Sequence, residues 1–106
     1  MPVVPSWIVN QRQIAAAVQK AAKALAPDVV RIRYKMAPDA IGEDAIFFRV
    51  LLSDRATRED KLFETTQRIK HKILDIVNPR EKYGLEAYFT YRSVSEQAEL
   101  KEAAWE

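Results

Sequence analysis

The side chains that carry most enzymatic chemistry are scarce in this sequence. There is no Cys, His71 is the single His, and Gly occurs at two positions. Thiolate chemistry, a zinc site and a phosphate-cradling Gly-rich loop therefore lack the residues that they need. His71 lies among charged residues on the outer side of a predicted helix, which is typical of a solvated imidazole. No Ser has a His in a catalytic pattern, so we expect a chain without a cofactor and without enzymatic activity.

One loop concentrates acidic side chains. Asp39, Glu43 and Asp44 lie within six residues of one another, and carboxylates in such a loop could hold a hard cation. Loop acids are more commonly solvated, so we expect no metal here. The sequence shows no small-molecule site either.

Length and composition are those of one globular domain. The chain has 106 residues, of which 48% are hydrophobic and 30% charged, and a domain of this size can bury a core without disulfides or metal. No stretch approaches the length of a membrane span. The first residues lack the features of a secretory signal, so we expect a cytoplasmic protein.

The charge is unevenly distributed although the net charge is only +2. Residues 1–35 carry six basic residues against one acid, and residues 93–106 carry one Lys against four Glu. This distribution predicts that the two regions attract one another, or that each contacts a different partner.

The densest apolar run, residues 45–52, is predicted to form the central element on which the other strands and helices pack. Its aromatic and β-branched residues favour a buried central strand. A strand over residues 29–36 alternates apolar and basic side chains. In a third strand over residues 85–93, one face is apolar and the other carries Glu86, Tyr88, Thr90 and Arg92. Apolar residues at helical spacing predict one helix from about residue 11 to 26, capped by Asn10. They predict a second helix that is capped by Asp54 or Thr57, has its buried stripe from Leu62 to Ile76 and ends at Asn78-Pro79. Residues 79–83 are predicted to be a polar loop.

Both ends of the chain are predicted to lie outside this framework. Residues 1–9, with two prolines, predict an extended N-terminal arm. Residues 94–106 predict an acidic C-terminal tail or a short helix capped by Ser95. Trp7, Ile8 and Trp105 are the expected contacts of the arm and the tail with the rest of the domain.

The order of elements is thus α-β-β-α-β in a single domain spanning residues 1–106. A hairpin makes the first two strands antiparallel, and the second helix returns the chain so that the third strand runs parallel to the second. This predicts a two-layer α/β (α+β) sandwich with a three-stranded mixed sheet and both helices on one face.

The other face of that sheet then needs an explanation, because a central strand that is apolar on both sides should be covered on both sides. The predicted surface combines basic and apolar side chains, a composition that marks contacts. Its members are Arg31, Arg33, Lys35, Phe47, Arg49, Leu51, Tyr88 and Arg92. Three interpretations remain. The arm or tail folds across the face, or another protein binds it, or Phe47 and Tyr88 stack the bases of single-stranded RNA while four cations meet phosphates, namely Arg31, Arg33, Lys35 and Arg49.

The element order resembles three known families. It resembles the minimal nucleotidyltransferase core, but residues 37–42 lack that family's Gly-Ser turn, and Phe47 and Arg49 stand where its paired acids would be. It also resembles the cytoplasmic domain of cation-diffusion transporters, without their metal-binding His residues, and the K-homology RNA-binding domain, without its Gly-x-x-Gly loop.

The sequence therefore predicts a small non-enzymatic module for protein binding or assembly that uses the open sheet face. The partner would be a second copy or a different protein, as in a homodimer or a hetero-complex. Single-stranded RNA binding on the basic and aromatic face is one alternative. A degenerate nucleotidyltransferase-like protein is the other.

Overall fold

The computed structural model of the chain describes residues 5–106. Its strands are β1 (Val29–Pro38), β2 (Asp44–Leu52) and β3 (Glu86–Ser93), and its helices are α1 (Ser6–Val9), α2 (Gln11–Ala24), α3 (Leu62–Val77), α4 (Pro79–Tyr83) and α5 (Val94–Leu100). Two single 3₁₀ turns, Asp54–Thr57 and Ala103–Trp105, complete it. None of the helices within residues 5–106 combines the length and apolarity needed to cross a membrane.

The sheet has the predicted topology. Strand β2 lies in the centre, antiparallel to β1 and parallel to β3. It is hydrogen-bonded along both edges, which suits the densest aromatic and β-branched run of the chain. The two-layer α+β fold with a three-stranded mixed sheet is confirmed.

The main core lies between the sheet and the two long helices. From β2 it takes Ile46, Phe48, Val50 and Leu52, and all four side chains are fully buried. The helices contribute Ile14, Val18 and Ala21 from α2 and Ile69, Ile73 and Val77 from α3. Phe48 stacks on Phe89 of β3 with ring centroids 5.0 Å apart. Both long helices therefore occupy one face of the sheet and leave the other without a helical layer.

The N-terminal arm is not extended over the described residues. Residues 1–4 of the predicted arm lie outside them, but Ser6–Val9 form one turn of helix. The prolines do not prevent this, because Pro5 precedes the turn and donates nothing to it. Asn10 does not cap α2 through its side chain. Its Nδ2 instead donates to the carbonyl of Ser6 at 2.8 Å, which closes the first turn.

Two further local predictions were wrong. Residues 79–83 form helix α4 rather than a loop, because Asn78 adopts a left-handed conformation (φ 46°) and Pro79 starts a new helical turn. Helix α3 starts at Leu62, later than a cap at Asp54 or Thr57 implies, and it has no side-chain cap. Residues 54–57 form a separate 3₁₀ turn that is capped by Ser53.

Strand β1 also departs from strict alternation. The register shifts between Val29 and Arg31, so Val29 pairs with Leu52 and is buried, while Val30 is exposed. A bulge of this kind inserts one residue and restores the pattern beyond it. Arg31, Arg33 and Lys35 consequently share the sheet face without helices, as the sequence predicts.

The tail contains a helix that starts two residues earlier than predicted. Ser93 caps α5, its hydroxyl accepting from the Glu96 N–H while the Glu96 carboxylate accepts from the Ser93 N–H. This capping box satisfies donors at the helix start. Ser95, the predicted cap, donates to the carboxylate of Asp54 through its main-chain N–H and its hydroxyl. Asp54 therefore anchors the start of α5 beside the end of β2.

Candidate functional site: the sheet face without helices

Cross-strand pairing arranges the predicted surface residues in rows. Directly paired residues point to the same side of a sheet, so each row contains one residue from every strand. The rows run from the carboxyl end of β2 towards its start: Arg31–Leu51–Arg92, then Arg33–Arg49–Thr90, then Lys35–Phe47–Tyr88. The structure therefore brings together all eight residues that the sequence placed on this surface.

The tail covers the first of these rows, which we call the covered end (Arg31, Leu51 and Arg92). Trp105 is 4% exposed, and the guanidinium of Arg92 lies 4.5 Å from its ring centroid. The Nη1 atom of Arg31 donates to the Trp105 carbonyl at 3.2 Å. Leu51, between the two arginines, is only 5% exposed. The chain thus shields this end of the sheet with its own C-terminal segment.

Polar contacts fix the tail in place. Arg92 donates to Gln97 and Glu102, each at 2.9 Å. Gln97 is buried and donates to the Glu102 carbonyl at 2.8 Å and the Glu106 carboxylate at 2.7 Å. Arg33 donates to the main-chain oxygen of Glu106. Charge-assisted hydrogen bonds such as those from the arginines are stronger than neutral ones. Hydrogen bonds therefore hold the tail on the sheet in addition to the burial of Trp105.

The rest of the face, which we call the uncovered patch, consists of Lys35, Phe47, Arg49, Tyr88 and Thr90. Phe47 is half-buried and stacks on Tyr88, with ring centroids 5.1 Å apart and an interplanar angle of 16°. Tyr88 is 43% exposed, and Lys35 and Thr90 are exposed. Within residues 5–106, neither the Lys35 ammonium nor the Arg49 guanidinium has a hydrogen bond or an ion pair. The patch therefore offers an aromatic pair beside two cations with free donors.

The β1–β2 loop limits this patch at its other end. Asp39 accepts a hydrogen bond from the Tyr88 hydroxyl at 2.8 Å and two more from the N–H groups of Ile41 and Glu43. The bond from Tyr88, followed by those from the backbone, lowers the pKa of Asp39, and the same bond raises the pKa of the Tyr88 hydroxyl. Asp39 thus remains an anion that orients the aromatic pair.

The three loop acids do not form a metal site. Asp39 points to Tyr88, whereas Asp44 accepts a hydrogen bond from the Trp7 indole at 3.4 Å. In the part of the chain that the structure describes, no three acidic or His side chains are placed to hold an ion together. His71 is exposed on α3, far along the chain from these acids and outside the sheet face.

The N-terminal contacts lie elsewhere. Trp7 packs against the main core on the helical side, and Ile8 remains 42% exposed. Of the three predicted contact residues, only Trp105 lies on the sheet face. The helical turn of α1 packs against α4, and the Trp7 indole donates to Asp44 at the start of β2.

Sequence reasoning missed the polar residues that position the tail. Gln97, Glu102 and the Asp54–Ser95 pair were not identified, although the Ser93-x-x-Glu96 spacing of a capping box could have located α5. It also missed an open groove of about 670 Å³ between α3 and β3. Leu52 and Tyr91 line that groove and the exposed Phe63 stands at its edge. Burial raises the pKa of Tyr91 to about 12, which keeps its hydroxyl neutral.

Comparison with known proteins does not identify a function for this chain. No protein-family model and no curated protein matches the sequence. A solved structure of MamM CTD aligns with 79% of this chain and 96% of that chain, at a TM-score of 0.49 and 6% sequence identity. A likeness at this level supports no functional argument.

Proposed function

We propose that this chain is a small binding or assembly module that acts through the uncovered patch, by contact with another protein rather than by catalysis. The observation that carries this proposal is the unequal coverage of one sheet face. The chain shields the covered end with Trp105 and leaves the half-buried Phe47 and the exposed Tyr88 of the same face to be shielded by something else. An apolar surface rimmed by polar residues is typical of an interaction site.

The side chains of the patch suit a protein partner. Aromatic and Arg side chains are enriched in the central residues of protein interfaces. Phe47 and Tyr88 already fix each other by stacking, and the Asp39 bond orients the Tyr88 hydroxyl, so little side-chain entropy is lost on contact. Lys35 and Arg49 favour a partner with carboxylates opposite them.

The tail contacts weaken the case for RNA. A stacked aromatic pair beside cations also suits single-stranded RNA, and that class remains the second candidate for this reason. However, Arg31 and Arg33 already donate to main-chain oxygens of the tail. Two of the four cations expected to meet phosphates are therefore occupied, and the salt dependence of any RNA binding would be correspondingly shallow.

Site-specific photo-crosslinking tests the proposal. Thr90, exposed within the patch, is replaced by benzoyl-phenylalanine in the cells that naturally express the chain. A matched variant carries the same group at His71, which is exposed on α3. We expect a discrete protein adduct at position 90 that is absent at position 71. Adducts to RNA at position 90 would support the second candidate, and equal labelling at both positions would refute a role for this face.

A further inference from the structure

The charged residues around the uncovered patch are segregated by sign along the strands. Arg33 and Arg49 occupy the row on one side of the Lys35–Phe47–Tyr88 row. On its other side lie Glu86, which pairs with Ala45 in the next row, and Asp39, which bonds to Tyr88. Successive rows are about 7 Å apart, since two residues of a strand span that length. The aromatic row therefore separates an acidic group from a basic group at similar distances.

We propose that the occupant of the patch is a second copy of this chain, packed face to face with its strands reversed. A twofold axis along the aromatic row reverses the order of rows and places each strand opposite its own counterpart. Glu86 of one copy then lies opposite Thr90 of the other and one strand away from Arg49, with Asp39 on the same side of the aromatic row. Arg49 is the cation within reach of these acids, because Arg33 already donates to Glu106. The same contacts are made twice, as a twofold interface requires. The proposal rests on the proposed function and specifies the partner of the same surface.

One further feature favours this arrangement and one opposes it. Ile41, at the tip of the β1–β2 loop, is 82% exposed. In the reversed copy it extends past the arginine row to the tail segment that carries Trp105, so the contact continues beyond the patch. Lys35 meets its own counterpart, a cost that its long side chain lowers by turning to the solvent at the sheet edge.

The proposed contact is small. Three strands about 4.8 Å apart and three rows about 7 Å apart give roughly 300 Å² per copy. A standard interface buries about 800 Å² per partner, so the pair should be weak and in rapid exchange. Its association should also weaken as salt is added, because the ion pairs lie near the rim.

A charge-swap pair tests the arrangement. Arg49→Glu and Glu86→Lys change one charge each, and neither residue has a structural hydrogen bond within residues 5–106. The Glu86 carboxylate has only a long ion pair to Arg80, at 3.9 Å. Asp75→Lys, on the exposed side of α3, is the matched control. Circular dichroism and thermal melting confirm that each variant is folded.

Sedimentation equilibrium over a wide concentration range then gives the association constants. We expect wild type and Asp75→Lys to dimerise equally and each single variant to lose about tenfold in affinity, since two ion pairs change per dimer. An equimolar mixture of Arg49→Glu and Glu86→Lys should associate one to one with nearly the wild-type affinity, because opposite charges face each other at both contacts.

Two results would overturn the inference. Wild type that stays monomeric up to its solubility limit would exclude a second copy, and a protein adduct at position 90 would then leave the proposed function standing with a foreign partner. A wild-type dimer whose affinity is not restored in the mixture would exclude the reversed register.

Discussion

The covered end and the uncovered patch belong to the same face of one sheet and have similar side chains. Each has an apolar or aromatic residue from β2 flanked by cations, namely Leu51 with Arg31 and Arg92, and Phe47 with Lys35 and Arg49. They differ in what lies above them. Trp105, Gln97 and Glu102 saturate the arginines of the covered end, whereas the cations of the patch have no partner among the described residues. A basic sheet face is thus available for contact only where the chain does not neutralise it with its own side chains.

The largest expected effect on stability distinguishes the two faces of β2. Phe48→Ala should lower the free energy of unfolding by about 3–5 kcal/mol, because the fully buried ring is lost and a cavity remains. Phe47→Ala, on the half-buried side, should cost roughly 1 kcal/mol. Urea unfolding monitored by circular dichroism gives both values. A larger loss for Phe47→Ala than for Phe48→Ala would mean that the faces are assigned in reverse.

Removal of the tail contact should make the covered end resemble the patch. Trp105→Ala should cost about 3 kcal/mol, near the lower limit for large aromatic residues in cores, since the ring lies at the domain surface. It should also increase the binding of a hydrophobic dye, because Leu51 becomes accessible. Trp7→Ala serves as the control, because Trp7 packs on the other face and its loss should not expose Leu51. Unchanged dye binding in Trp105→Ala would show that the tail does not shield this end.

The smallest effect concerns the hydrogen bond that orients the patch. In Tyr88→Phe the pKa of Asp39 should rise towards its ordinary value, because the Tyr88 hydroxyl is the main cause of its lowering. A lowered pKa in the folded state contributes stability above the unfolded value of about 3.9 that is lost as the pH falls through the folded value. In the variant the folded and unfolded pKa values lie closer together, so this contribution is smaller at neutral pH, and the resulting stability difference from wild type disappears at low pH, where Asp39 is protonated in both proteins.

Carboxyl NMR titration of Tyr88→Phe measures this change directly. The pKa of Asp54, which is lowered by bonds from Ser95, provides an internal control and should not move. An unchanged Asp39 pKa would mean that the aromatic pair is oriented without this bond.

The sequence predicted the parts of the fold that depend on periodicity. Strand alternation and the helical stripes placed β2, both long helices and the basic stripe of β1 correctly, because burial of one face determines those patterns. The short turns α1 and α4 were missed, since one or two residues such as Pro5 and Asn78 decide them locally. The bulge at Val30 was missed for the same reason.

The coverage of the sheet face was beyond sequence reasoning. Arg31 contacts Trp105 across 74 residues of chain, and the spacing of charges does not reveal which of several cations a tail will reach. The sequence left self-coverage and partner binding as alternatives for the whole face. The structure shows self-coverage at one end, and the patch remains the proposed site for a partner.

Accessibility of single thiols in cells tests the central claim most directly. The chain has no Cys, so Thr90→Cys and His71→Cys each introduce one labelling site, the first in the patch and the second on α3. Maleimide labelling is compared between the native cells and dilute purified protein. The account predicts that labelling at position 90 is slowed in cells while labelling at position 71 is unchanged. Equal labelling of both positions in cells and in dilute solution would contradict it.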